Sequence, residues 1–130
     1  MGFHDYKLQS YSVLDSGAQI VFELVYDYPG VEMRYSRISF SEVACYHFKH
    51  TVGAIITDIE EVELDGLVRE ESKLLESFAR EHGLTFWETD TAQYLAALRR
   101  RKMRAWRIDS AMGFSGFVIG RDVEMLQLRP

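Results

Sequence analysis

The chain has 130 residues, 47% of them apolar and 27% charged, and a net charge of −5. This length supports one domain with its own core, so 1–130 reads as a single domain, and the ordinary composition excludes low-complexity and collagen-like chains. No apolar run approaches the length of a bilayer span, and the negative balance argues against nucleic acid as a general partner.

The first half has the period of strands. "YKLQSYSVLD" is a weak one. In "AQIVFELVYDY", Ile20, Phe22, Leu24, Tyr26 and Tyr28 alternate with polar and smaller residues, the pattern of a half-buried strand. "YPGV" predicts a type II turn, with Pro29 fixing φ at its second position and Gly30 supplying φ > 0 at its third. "VEMRYSRISF" returns antiparallel, and its alternation slips between Tyr35 and Ile38, which predicts a bulge near Ser36–Arg37. "EVACYHFKH" places Ala44, Tyr46 and Phe48 on one face, Cys45 and His47 on the other. "AIITDIEEVEL" is a fifth strand, with Ile56, Val62 and Leu64 in phase and Ile55 and Ile59 opposite.

The period then changes to 3.6. Leu67, Glu71, Leu74, Leu75, Phe78 and His82 predict a helix over 65–82, with Asp65 as N-cap, Gly83 just past its end, and Leu74, Leu75 and Phe78 buried. "DTAQYLAALRRRK" predicts a second helix, opened by an Asp90/Gln93 capping box and carrying a Tyr94, Leu95, Leu98 stripe. "MRAWRIDSA", "GFVIG" and "DVEMLQL" close the chain as strands, with Gly113 and Gly116 turning a hairpin between Ile108 and Phe117 and Gly116 holding φ > 0. The expectation is an α+β fold: a curved antiparallel sheet of about seven to eight strands, with two helices inserted before the last three strands. The absence of strand–helix alternation disfavours a parallel Rossmann sheet.

Chemistry is sparse. "MGFSGFVIG" has Phe117 where a nucleophile elbow needs its second glycine, no Lys-Ser/Thr for a P-loop, and the wrong spacing for a dinucleotide fingerprint. Cys45, His47 and His50 are too few for a zinc centre, and no Cys/His pair follows. No metal, cofactor or catalytic residue is therefore expected, and the roles of these three residues stay open. A lone cysteine cannot form an internal disulfide. Together with an N-terminus unlike a signal peptide, that predicts a cytoplasmic protein.

Charge is segregated. Residues 58–90 hold eleven acids against three bases, while residues 99–107 hold six bases and no acid. The acidic stretch offers Glu60, Glu61, Glu63, Glu70 and Glu71 as contacts for a basic protein partner. The basic patch Arg99, Arg100, Arg101, Lys102 and Arg104 has Trp106 close by, as nucleic-acid patches often do, but it sits at a helix C-terminus, where the dipole favours cations. Its match is with the acidic segment, either within the chain or across a homodimer, at least as readily as with nucleic acid.

"ISFSEVACYHF", "IITDIEEVEL" and "WRIDSAMGFSGFVIG", in that order, resemble small acidic bacterial α+β proteins, some of them similar to immunity proteins encoded beside polymorphic toxins. The resemblance covers about the last two-thirds of the chain and carries no catalytic residue. It implies a non-enzymatic, cytoplasmic protein-binding domain that covers a basic partner with its acidic strand–helix face. The alternative is a small-molecule-binding protein or enzyme with an aromatic-lined pocket and polar groups from His47, Tyr46 or Asp58.

Overall fold

The computed structural model describes residues 4–82 and 91–128. Among the described residues six strands occur in chain order: β1 (Tyr6–Leu14), β2 (Gln19–Tyr26), β3 (Arg34–Ser41), β4 (Cys45–Val62), β5 (Arg104–Gly120) and β6 (Asp122–Leu128). Three helices, α1 (Leu64–Glu70), α2 (Ser72–His82) and α3 (Thr91–Arg100), lie between β4 and β5. The fold is α+β with one antiparallel sheet, ordered β5-β4-β1-β2-β3-β6.

Two long ladders set the shape. β3 runs into β4 through residues 42–44, and β5 runs into β6 through Arg121 alone. β3 pairs with β6 from Tyr35↔Leu128 to Ser41↔Asp122, and β4 pairs with β5 from Cys45↔Ile119 to Val62↔Ala105. The β1–β2 hairpin then ties β4 to β3 a second time, because β2 pairs with β3 while Tyr6 and Lys7 of β1 pair with Ile56 and Ile55. A sheet whose members are joined both by the corner and by the hairpin has to curl, and it forms a half-barrel. At the corner the Ala44 N–H donates to the Ile119 carbonyl at 2.8 Å and the Arg121 N–H to the Ser41 carbonyl at 3.2 Å, so the backbone stays satisfied through the bend.

The expected strands exist, but two pairs of them are continuous. "EVACYHFKH" and "AIITDIEEVEL" both belong to β4, and "MRAWRIDSA" and "GFVIG" both belong to β5. Register breaks between His50 and Ile55 bend the ladder there. Counted as bent halves, the strands number eight. The hairpin expected at the late glycines is absent. Gly113 takes φ +80 at the bend, whereas Gly116 lies within β5 opposite Phe48 and has no positive φ. A further break between Ile56 and Asp58 turns Ile59 onto the face of Ile56, not the opposite one. The "YPGV" turn forms as expected, with Gly30 at φ +81 and the Val31 N–H donating to the Tyr28 carbonyl.

The concave face holds the main core. Ile20, Phe22 and Leu24 of β2 and Ile38 and Phe40 of β3 meet Trp106 and Ile108 of β5. Phe22 meets Phe40 edge-on at 5.7 Å, and Phe40 lies 5.2 Å from Trp106. The predicted bulge in β3 does not occur, since its register with β2 is unbroken. The slip in alternation has another cause: Ser36 takes an inward position at 2% exposure, and its hydroxyl finds no partner among the described residues. A buried hydroxyl left unpaired costs about 1–3 kcal/mol. Ser36→Ala is therefore expected to raise stability, by about 1 kcal/mol, in urea unfolding.

The helices cover the convex face of β4 and β5 with a second core of Leu67, Val68, Leu75, Tyr94, Leu95 and Leu98 against Ala105, Phe117 and Ile119. The first predicted helix is two. Glu71 departs from helical geometry, although the Glu71 N–H to Leu67 and Leu75 N–H to Glu71 bonds continue across it. Glu63, not Asp65, is the N-cap, and Asp65 sits in the first turn. Leu75 is buried as expected, while Leu74 and Phe78 are half-buried. Gly83 and Asp90 lie outside the described residues. α3 ends in a Schellman motif. The Met103 N–H donates to the Leu98 carbonyl and the Lys102 N–H to the Arg99 carbonyl, with Met103 and Leu98 both buried. Lys102 is left-handed at φ 58, where a β-carbon is a penalty. Lys102→Gly keeps both bonds and is expected to stabilise by about 0.5–1 kcal/mol in thermal unfolding.

Candidate functional site

The acidic and basic segments meet within the molecule. The β4–β5 register sets Glu61 opposite Trp106 and Glu60 opposite Arg107, and α1 packs beside α3. Arg104 grips Glu61 with two nitrogens, at 2.6 and 3.0 Å, while its guanidinium lies 5.0 Å from the centre of the Trp106 ring. Arg107 pairs with Glu70 and with Glu71. Arg99 pairs with Asp65. Three of the five carboxylates expected on a docking face are thus engaged by arginines of this chain. Glu60 and Glu63 stay exposed and make no ion pair among the described residues. In the basic patch, Arg99 and Arg104 are committed, while Arg100, Arg101 and Lys102 project from the exposed end of α3.

These pairs tie β4 to β5 (Arg104 with Glu61), α1 to α3 (Asp65 with Arg99) and β5 to the helical layer (Arg107 with Glu70 and Glu71), and because their side chains reach solvent they add little to stability. The Arg104 hydrogen bond holds the Glu61 carboxyl below its ordinary value of 4.5. A depressed folded value means that the contribution is present above 4.5 and is lost as pH falls through the lower folded value. Glu61→Gln should therefore remove a small part of the acid dependence of unfolding below pH 4.5, worth less than about 1 kcal/mol for so exposed a pair.

A pocket of about 280 Å³ lies on the convex face where the long ladder bends. His47, Lys49, Ser115 and Phe117 come from one half of the bend, and Arg107 and Asp109 from the other. Glu71 and Leu74 of the helical layer close one side. Phe78 of α2 lies 5.7 Å from the His47 ring, so the imidazole is held between helix and sheet. Of the polar groups proposed for a pocket, only His47 is there. Tyr46 faces the main core, and Asp58 stands behind Asp109 across the ladder. His50 points to the concave side, against Tyr11 and Phe114.

Cys45 is a free thiol against the second core, and burial pushes it up to about 12, so it stays protonated at neutral pH. Among the described residues, no three His, Cys, Asp or Glu side chains are placed to hold a metal ion, and no helix is long and apolar enough to cross a membrane.

A second, wider groove of about 520 Å³ crosses the part of the convex face that the helices leave uncovered. Leu14, Val21 and Leu126 supply its apolar surface, and the Glu23–Arg37 ion pair crosses its floor. Leu14, Met125 and Leu126 are each about half exposed. β6, which carries the last two, is an edge strand of the sheet, with no strand partner on one side among the described residues. The residues of this groove were not singled out in the sequence, where β6 is only a closing strand. The signal lay in "DVEMLQL", whose apolar residues fall on both faces of the strand. No protein-family model matches the chain, and no curated protein matches it.

Proposed function

We propose that the protein is a non-enzymatic protein-binding domain. The observation that carries this reading is the groove between half-exposed Leu14 and Leu126, on the part of the convex face that the helices leave open and beside the edge of β6, which has no strand partner among the described residues. Exposed apolar side chains on a groove with a polar floor, next to an unpaired strand edge, are features of protein docking surfaces. The resemblance to immunity proteins supports the same class of function, with a basic partner as its specific form. Glu60 and Glu63 are the carboxylates left available to such a partner, and rim charges of this kind act mainly on the association rate.

The test uses two variants of the full chain: Leu126→Lys on the groove, and Glu60→Lys with Glu63→Lys on the acidic strand. Both change exposed positions and should melt as the wild type does. Crosslinking in the source cell should yield a stoichiometric partner with the wild type that is lost with Leu126→Lys. Loss only with the glutamate reversals would move the docking surface to the acidic strand. Equal capture by all three proteins would remove the support for this reading.

A further inference from the structure

The pocket at the bend of β4 and β5 is separate from the groove beside β6, and only some of its charges pair with one another. Arg107 and Glu71 satisfy each other, at 3.2 Å. Lys49 and Asp109 remain, one cation and one carboxylate, both exposed and neither in an ion pair among the described residues. They stand on different halves of the bend, Lys49 opposite Ser115 and Asp109 opposite Asp58. Phe117 and Leu74 give the space between them an apolar wall.

A simple anion placed here gains Lys49 but meets Asp109, with Asp58 behind it. A simple amine gains Asp109 but meets Lys49. A ligand carrying both charges, with an apolar group between them and the wall, answers both unpaired side chains and the apolar wall at once. The volume of about 280 Å³ holds roughly a dozen non-hydrogen atoms, just under the range of drug-sized pockets. We propose that this pocket binds a free α-amino acid with an apolar side chain, its carboxylate toward Lys49, its ammonium toward Asp109, and its side chain on Phe117 and Leu74.

Three probes with the same ring separate the contributions: L-phenylalanine, phenylacetate, which lacks the ammonium, and phenethylamine, which lacks the carboxylate. In calorimetric titration of the full chain, phenylalanine should bind at least about tenfold more tightly than either of the others. Lys49→Gln and Asp109→Asn should each weaken phenylalanine about tenfold, and Asp109→Asn should erase its advantage over phenylacetate. Both replaced side chains are exposed, so unchanged melting temperatures should accompany the losses. The His47 ring resonances should shift on binding, which places the ligand in this pocket. Three outcomes would each overturn the proposal: no phenylalanine binding up to about 10 mM, beyond the weak end of specific affinity; equal binding of the three probes; or binding indifferent to both variants.

Discussion

An alanine at position 116 is expected to destabilise the protein by about 3 kcal/mol and lower its melting temperature by about 10 °C. The cause is contact, not backbone conformation. A β-carbon on Gly116 would overlap the His47 carbonyl oxygen and stand 2.7 Å from Cδ1 of Phe48. The first obstacle is backbone in the middle of a paired ladder, so it cannot swing aside as the end of a flexible side chain would. Relief requires β4 and β5 to separate locally, at the expense of hydrogen bonds on either side. Thermal unfolding of Gly116→Ala measures this directly. A melting temperature within about 2 °C of the wild type, under 1 kcal/mol for a chain of this size, would show that the ladder is not packed this closely.

Trp106→Ala should cost about 3–5 kcal/mol, the range for a large aromatic removed from a core. Trp106 is fully buried, touches Phe40 across the half-barrel, and lies beneath the Arg104 guanidinium. Its loss opens a void at the place where β5 meets the far side of the curled sheet. It also removes the surface on which Arg104 rests while it holds Glu61. Trp106→Phe retains much of the volume and should cost less than half as much. Urea unfolding of the two variants tests the ranking. A small effect of the alanine variant would mean that the concave face is not closed by this residue.

Where side chains repeat on one face without interruption, the fold was readable from the residues. Ile20, Phe22 and Leu24 declare the buried face of β2, and Tyr94, Leu95 and Leu98 that of α3, because burial selects apolar residues at the period of the element. The bends were not readable. At His50–Ile55 and around Gly113 the register shifts without ending the strand, and glycine serves a bend as readily as a hairpin. Gly116 was misread because glycine is required for two different reasons, φ and close approach, and only the partner strand shows which one operates. Ser36 broke the alternation by being a polar residue on the inside, and a local pattern cannot tell that from a bulge. The acidic and basic segments were legible as charge, but their mutual neutralisation depends on α1, α3 and the β4–β5 register together. The bend pocket was the least legible feature, since His47 and Lys49 meet Arg107 and Asp109 only after the whole helical segment has intervened.

The joining of β3 to β4 and of β5 to β6 also governs how the chain can fold as it is made. β1, β2 and β3 form a meander of near neighbours that can assemble early, but β3 acquires its other partner only from β6, the last of the described strands. β4 likewise waits for β5, across three helices. Pairings of such long range form slowly, because loop closure comes before any compensating contact. A nascent chain that has emerged only as far as α3 therefore exposes the apolar undersides of its helices and the unpaired edges of β3 and β4 together. The period between synthesis of α3 and release of β6 is when this protein is most open to aggregation, and when a holding chaperone would have most to cover.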